Sequence, residues 1–230
     1  MSRSPPHALR AAIKPNDAWW TRVFAAPLAN RLVPFLHRLP VTPNQITVAS
    51  LLVGLTAGVL LAVGTWVTAL LASVLVQLAF VLDCADGQLA RYSGTASERG
   101  AWLDGAADVL KSFAILLGLT FWAVQKAPHM WFWGFSAYFV HAAGMHLYAI
   151  RPQRLARTTP ESQSAPATRI EGLYQRLRGV LPFASASAPD QLLLISILAA
   201  AGRPRLLLYI LTVWGASALA FSLVRTWQRF

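Results

Sequence analysis

Long uncharged stretches alternate with short basic or polar connections along this chain. The longest stretch is the run of 44 uncharged residues between Arg38 and Asp83. A helix crosses a bilayer with about 20 apolar residues, so this run is long enough for two crossings, with the break predicted at Gly64-Thr65. Further uncharged runs cover residues 112–125, 127–150, 191–202 and 206–224. The pattern predicts an all-α integral membrane protein with six transmembrane helices, or with five if the fifth run, only about three turns long, does not cross.

The distribution of basic residues between the connections predicts the orientation. Six spans with both ends on one side place sixteen Lys and Arg on that side and three on the other, with Lys111 inside a helix. Cytoplasmic connections carry the excess of Lys and Arg. We therefore expect both termini, and the connection between the second and third spans, on the cytoplasmic side of the cytoplasmic membrane. The three basic residues on the opposite side are Lys126, Arg203 and Arg205.

Composition agrees with a membrane protein, because 56% of the residues are hydrophobic and only 13% are charged. The net charge of +11 comes from basic residues beside the predicted spans and not from a separate polar domain. This placement favours membrane lipids with anionic headgroups over nucleic acid as the partner. Cys84 is the only cysteine, which excludes an internal disulfide.

The segments outside the spans define the predicted organisation. Residues 17–39 mix Trp, Phe and Leu with three Arg, which is typical of an amphipathic helix that lies in the membrane interface. Interruptions are expected near Pro27 and Pro34. We expect a cytoplasmic N-terminus at 1–40 that carries this interfacial helix, a six-helix membrane domain at 41–226, and within it a long cytoplasmic connection at 151–184.

Five of the nine acidic residues lie in one short stretch at the end of the second span. Asp83 and Asp86 are three positions apart, and Asp104 and Asp108 are four apart, so each pair projects from one side of its helix. A turn centred near 95–96 places Asp83 at the depth of Asp108 and Asp86 at the depth of Asp104. The deeper pair would lie about 12 Å below the helix ends. The sequence therefore predicts that four carboxylates meet at one site.

Four clustered carboxylates need positive charge in a low-dielectric site. Arg91, Arg99 and Lys111 are close in sequence, but a set of acidic oxygens is what Mg²⁺ and similar hard cations choose, especially with substrate phosphates. Two such ions would suit phosphoryl transfer. Intramembrane acids also mark ion pathways, so an ion or solute transporter is the alternative. That alternative predicts acids in several spans, whereas these are confined to one hairpin.

The spacing of this stretch resembles the signature of the CDP-alcohol phosphotransferase family, also called CDP-alcohol phosphatidyltransferases. The segment VTPNQIT at 41–47 is also similar to one that many members carry before the first span. The match to the signature holds at all eight fixed positions of Asp83-x2-Asp86-Gly87-x2-Ala90-Arg91-x8-Gly100-x3-Asp104-x3-Asp108.

The resemblance implies a transferase that depends on Mg²⁺ or Mn²⁺, with two ions in the site, and a homodimer. Such an enzyme moves the phosphoalcohol group of a CDP-alcohol to the hydroxyl of a second alcohol and releases CMP. Asp83, Asp86, Asp104 and Asp108 then correspond to metal ligands, and Asp108 also corresponds to the catalytic base. The implied contacts to the nucleotide are Gly87, Ala90, Arg91, Gly100 and Asn44.

The substrates are less clearly indicated. The segments KPNDAWWTR at 14–22 and LDCADGQLAR at 82–91 are similar to the membrane domain of enzymes that join CDP-inositol to inositol phosphate. The donor is therefore CDP-diacylglycerol or a CDP-inositol-like molecule, and inositol phosphate is a candidate acceptor. Three basic residues follow the fourth span: Arg151, Arg154 and Arg157. They either bind an acceptor phosphate or set the orientation of the protein in the membrane.

Overall fold

A computed structural model describes residues 18–149 and 188–227, and these parts of the chain contain helices but no strands. A π-helical turn at Thr21–Ala25 leads into the first α-helix. The α-helices within the described residues are α1 (Ala26–Leu36), α2 (Pro43–Val63), α3 (Trp66–Ser93), α4 (Glu98–Lys126), α5 (Met130–Ala149), α6 (Ala188–Ala200) and α7 (Pro204–Trp227).

Four of these helices are long and apolar enough to cross a membrane. They are α2, α3, α4 and the segment Pro204–Val224 of α7, whereas the apolar part of α6, Pro189–Ala200, is shorter. The 20-residue helix α5 is not among the four. The described part of the chain is thus all-helical and has the long apolar helices of an integral membrane protein, and crossing by α5 and α6 stays a prediction.

The predicted break at Gly64-Thr65 is confirmed. Helix α2 ends at Gly64, whose φ of 77° is left-handed, a conformation that glycine adopts without a steric penalty. Thr65 then caps α3, because its side chain accepts a hydrogen bond from the Thr68 N–H while the Thr68 side chain accepts one from Thr65. A left-handed residue followed at once by a capping box reverses the chain without a loop.

The hairpin between α3 and α4 also has the predicted geometry. Helix α3 ends at Ser93, and Gly94 follows with a φ of 69°. Ser97 caps α4 by accepting a hydrogen bond from the Gly100 N–H at 3.1 Å. The turn therefore occupies residues 94–97, so its predicted centre near 95–96 is confirmed.

The segment before α2 packs against α3. The Trp20 indole N–H donates to Gln77 Oε1 at 2.9 Å, and Gln88 donates to the Ala26 carbonyl at 3.2 Å. Near Pro27 the helix changes from π to α geometry between Ala25 and Ala26, but the helical backbone continues without a break. The interruption predicted at Pro34 is wrong, because Pro34 lies inside α1. Whether α1 lies in the membrane interface stays a prediction.

Helices α2 and α4 approach each other through glycines. A Cβ atom added to Gly118 would lie 2.0 Å from the Gly58 carbonyl oxygen, and one added to Gly58 would lie 2.5 Å from the Ala114 carbonyl oxygen. Small residues at such crossings let helix backbones come close in membranes. This contact fixes the position of α4 against α2. The main buried hydrophobic cluster lies around the contact and includes Leu61, Leu119, Trp122, Met130, Leu207 and Leu208.

Replacing Gly118 with Ala is expected to destabilise the protein. The new methyl group would overlap the Gly58 backbone, and overpacking of this kind costs about 1–3 kcal/mol, or more when backbone must move. Thermal unfolding in detergent measures the change. Gly105→Ala on the same helix is the matched control, because a Cβ atom there meets nothing within 4 Å. Equal losses of stability in both variants would contradict the packing described above.

Candidate functional site

Three of the four predicted aspartates come together at the end of the α3–α4 hairpin. Asp83 from α3 and Asp104 and Asp108 from α4 each place one carboxylate oxygen within 4.8 Å of the others. The Asp83 side chain is 21% exposed and the Asp108 side chain is 44% exposed. Asp108 is therefore the more open of these two carboxylates.

Lys111 supplies the positive charge that these carboxylates need. Its ammonium forms an ion pair with Asp83 and lies 2.9 Å from Asp108 Oδ1. It also donates to Ser50 Oγ at 3.1 Å. Lys111 is only 8% exposed, and it follows Asp108 by three positions, which places both on one face of α4.

Helix α2 supports this lysine. A Cβ atom at Gly54 would lie 2.7 Å from Lys111 Cγ, so the bare backbone at this position leaves room for the aliphatic stem. The sequence indicates Lys111 as a nearby cation, but it does not single out Ser50 or Gly54. These two residues are one turn apart in α2. A hydroxyl and a glycine in an otherwise apolar helix are the only features of the sequence that could have pointed to them.

Asp86 is not one of the three clustered carboxylates. It is 3% exposed, and its Oδ2 accepts a hydrogen bond from the Thr47 hydroxyl at 2.5 Å. This bond ties the start of α2 to α3, and the same hydroxyl lies 3.2 Å from the Pro43 carbonyl oxygen within α2. Thr47 belongs to the VTPNQIT segment, but its spacing alone did not indicate a role at the site.

The candidate nucleotide contacts lie beside one another in two pairs. A Cβ atom at Gly87 would lie 3.2 Å from Arg91 Nη1, so the guanidinium group lies over this glycine. A Cβ atom at Gly100 would lie 3.3 Å from Asn44 Oδ1, so the start of α2 meets the start of α4. Ala90 is partly buried on α3. The three basic residues proposed for an acceptor phosphate, Arg151, Arg154 and Arg157, lie outside the described residues.

The three clustered carboxylates fit a hard divalent cation. Ligands on opposite sides of Mg²⁺ are about 4.2 Å apart, close to the 4.8 Å that encloses the three oxygens here. All three donors are oxygens, which Mg²⁺ and Mn²⁺ prefer. The buried ammonium of Lys111 already pairs with two of these carboxylates, so the site holds positive charge before any metal ion binds.

The fold and the site together define a helical membrane protein with an acidic, cation-attracting site in one hairpin of spanning helices. The sequence model of the CDP-alcohol phosphatidyltransferase family matches residues 40–171. The protein belongs to this family, as the spacing of the signature predicts. The match covers the hairpin and all four aspartates.

Several curated relatives are similar to part of the chain. The phosphatidylinositol phosphate synthase of Corynebacterium glutamicum is 35% identical over 105 residues, which are 46% of this chain and 45% of the relative. The bifunctional IPC transferase and DIPP synthase of Aquifex aeolicus is 30% identical over 142 residues, 60% of this chain and 31% of the relative. The archaetidylinositol phosphate synthase of Pyrococcus horikoshii is 34% identical over 89 residues, which are 39% of this chain and 46% of the relative. The chain thus matches less than half of the length of each.

Replacing Lys111 with Met is expected to destabilise the metal-free protein. Methionine keeps an unbranched stem beside Gly54 but leaves Asp83 without its ion-pair partner. Breaking a buried pair costs up to about 3–5 kcal/mol, and the partial exposure of Asp83 reduces that cost. Thermal unfolding in the presence of EDTA measures the effect.

A double-mutant cycle tests whether the ion pair is the cause. In an Asp83→Asn background the Lys111→Met change should cost clearly less, because the buried charge that it would strand has been removed. The same cost in both backgrounds would show that Lys111 stabilises the fold through packing alone.

Proposed function

We propose that the protein is a membrane-embedded transferase that moves the phosphoalcohol group of a CDP-alcohol to the hydroxyl of an acceptor alcohol and releases CMP. The clustering of Asp83, Asp104 and Asp108 within the family region carries this proposal. Phosphoryl transfer needs positioning and charge stabilisation more than covalent chemistry from the protein. An acidic, cation-attracting hairpin supplies both requirements.

The proposed metal ligands are Asp83, Asp86, Asp104 and Asp108, which would hold Mg²⁺ or Mn²⁺ as a pair of ions. The hydrogen bond from Thr47 fixes one oxygen of Asp86, which leaves the second oxygen for a cation. Cations bound by these carboxylates would supply positive charge to the diphosphate of the donor. Lys111 would have to share Asp83 and Asp108 with them, or turn away along α2.

The nucleotide is proposed to bind beside Gly87, Ala90, Arg91, Gly100 and Asn44. The Arg91 guanidinium presents several N–H donors next to the bare backbone of Gly87, an arrangement suited to phosphate oxygens. Asn44 and Gly100 adjoin each other where the start of α2 meets the start of α4. The two pairs lie on α2, α3 and α4, and the aspartates lie on α3 and α4, so a donor bound there would lie near the proposed metal ligands.

Asp108 is the proposed general base. Its side chain is the more exposed partner of Lys111, so an acceptor hydroxyl can reach it. The hydroxyl oxygen attacks the phosphorus that carries the donor alcohol, and the bond from that phosphorus to the CMP oxygen breaks. Asp108 takes the hydroxyl proton, and CMP leaves as a phosphate monoester.

The acceptor is proposed to be inositol phosphate. Support comes from two similar proteins, which are named as synthases of phosphatidylinositol phosphate and archaetidylinositol phosphate. CDP-diacylglycerol is then the simplest donor, and CDP-inositol is the second candidate. Nothing in the family match or in these names favours the transporter alternative.

The placement of the site is proposed from the charge distribution. Sixteen Lys and Arg on the side of the aspartates and three on the other favour a cytoplasmic site with both termini cytoplasmic. Crossing by α5 and α6 would complete six spans in a catalytic domain at 41–226, after an interfacial segment at 1–40. A homodimer through the membrane helices is proposed from the family resemblance.

The purified protein should release CMP when it is given Mg²⁺, a CDP-alcohol and the correct acceptor. CDP-diacylglycerol and CDP-inositol are tested in turn, each with inositol phosphate, inositol and glycerol 3-phosphate. Asp108→Asn should lower the rate by at least about 100-fold, as expected for the loss of a general base. Glu98→Gln is the matched control, because Glu98 is an exposed acid in the first turn of α4 outside the cluster.

Each outcome of this assay decides one part of the proposal. Release with inositol phosphate alone supports the acceptor, and release with another alcohol replaces it. Equal losses in Asp108→Asn and Glu98→Gln would remove Asp108 from the reaction. A folded protein that neither releases CMP nor binds CDP would contradict the transferase assignment.

Lys111→Met should raise the affinity for Mn²⁺. The ammonium competes with a cation for Asp83 and Asp108, so its removal leaves both carboxylates for the ion. Isothermal titration calorimetry without substrate measures the dissociation constant, with Lys126→Met as the control at the far end of α4. An unchanged or weaker affinity in Lys111→Met would place the cation away from these two carboxylates.

A further inference from the structure

Three helix turns meet at the end of the bundle that is opposite to the aspartates. Gln125 donates to the Ala62 carbonyl at 2.7 Å, and the Trp66 indole N–H donates to the Ala200 carbonyl at 3.1 Å. These bonds join the α2–α3, α4–α5 and α6–α7 turns. Helix α4 continues to this end, and Lys126 lies 22 positions after Asp104, a rise of about 33 Å. That distance is close to the thickness of a hydrocarbon core, so this end reaches the other membrane surface.

A basic cavity opens between these turns. It has a volume of about 400 Å³, and its lining includes Lys126, Arg203, Arg205, Leu206 and Tyr209. Its three cations are the only Lys and Arg that the charge distribution assigns to this side. Both ion pairs found within the described residues use Lys111 at the opposite end. The positive charge of the cavity is therefore available to an external anion.

The turn that carries Arg203 is held in place by its own hydrogen bonds. Gly202 has a φ of 68°, and its N–H donates to the Ala199 carbonyl at 2.9 Å. The Arg203 N–H donates to the Leu198 carbonyl, also at 2.9 Å. This pattern closes α6 with a left-handed glycine and fixes the backbone position of Arg203 at the cavity.

The start of α7 adds to the attraction for anions. The Leu207 N–H is bonded to the Arg203 carbonyl at 3.1 Å, so the N–H groups of Arg205 and Leu206 lie in the first turn, where helices have no internal acceptors. The helix dipole also places partial positive charge there. Side chains from two turns and a helix terminus thus converge on one cavity.

Apolar surface next to the cavity indicates which kind of anion it fits. Leu206 lines the cavity and is 47% exposed, and Val213 is 60% exposed. They are seven positions apart and share one face of α7, a strip that runs from the cavity toward the membrane interior. A soluble anion would leave this apolar strip uncovered. A phospholipid would place its phosphate in the cavity and its acyl chains along the helix.

We propose that the cavity formed by Lys126, Arg203 and Arg205 binds the phosphate group of an anionic phospholipid in the leaflet opposite to the aspartate site. Guanidinium groups suit the oxygens of a phosphodiester, and each nearby cation adds to the attraction for an anionic headgroup. The site would anchor the α4–α5 and α6–α7 turns to that membrane surface. It does not depend on the proposed reaction at the other end.

Native mass spectrometry of the full chain in detergent micelles tests this proposal. The protein is titrated with phosphatidylglycerol or with phosphatidylcholine of the same acyl chains. The first phosphatidylglycerol should bind at least about tenfold more tightly than the first phosphatidylcholine. This preference should disappear in the variant Lys126→Gln/Arg203→Gln/Arg205→Gln.

The matched control is Arg22→Gln/Arg31→Gln/Arg38→Gln, which also removes three exposed cations but at the end of the aspartates. It should keep the preference for the first phosphatidylglycerol. An equal loss in both variants would overturn the proposal, because net charge and not the cavity would then set the preference. Retention of the preference in the cavity variant would overturn it as well.

Inorganic phosphate separates the two sources of the anion. Millimolar phosphate should leave the bound phosphatidylglycerol in place, because phosphate lacks the acyl chains that lie along α7. Displacement of the lipid by phosphate would assign the cavity to a soluble anion instead. Thermal unfolding of both triple variants checks that each is folded before lipid binding is compared.

Discussion

The requirement that buried negative charge be balanced governs the structure of this protein. Asp83 and Asp108 lie on helices that are apolar enough to cross a membrane, where unpaired carboxylates are costly. Lys111 lies between them and is itself held by Ser50 from α2. Three helices must therefore keep a fixed register for the charges to meet, and the same arrangement leaves a place where a cation can exchange with an ammonium.

Glycines connect that charge balance to the packing of the bundle. Gly58 and Gly118 allow α2 and α4 to touch through their backbones, and Gly54 leaves space for the stem of Lys111. With bulkier residues at these positions α2 would be displaced from the site, and Ser50 and Thr47 would no longer reach Lys111 and Asp86. The small residues of α2 thus serve the site as much as the fold.

Each end of the bundle carries its own cluster of charged side chains. Carboxylates are concentrated at the α3–α4 hairpin, whereas Lys126, Arg203 and Arg205 surround a cavity at the far end of α4. The acidic cluster suits the proposed binding of a cation, and the basic cavity suits the proposed binding of a lipid phosphate. The long, uninterrupted α4 links the two ends mechanically.

The sequence by itself determined the helical class, the break at Gly64-Thr65, the turn at 94–97 and the family, because hydrophobic runs, capping residues and fixed spacings are local properties. The interruption predicted at Pro34 is wrong: Pro34 lies in the last turn of α1, where it removes one backbone hydrogen bond without breaking the helix before Leu36. Only the tertiary structure decided that Lys111 bridges Asp83 and Asp108, that Thr47 donates to Asp86, and that three cations share one cavity. Those facts depend on the register and rotation of one helix against another. Contacts between side chains that are distant in sequence set this register and rotation.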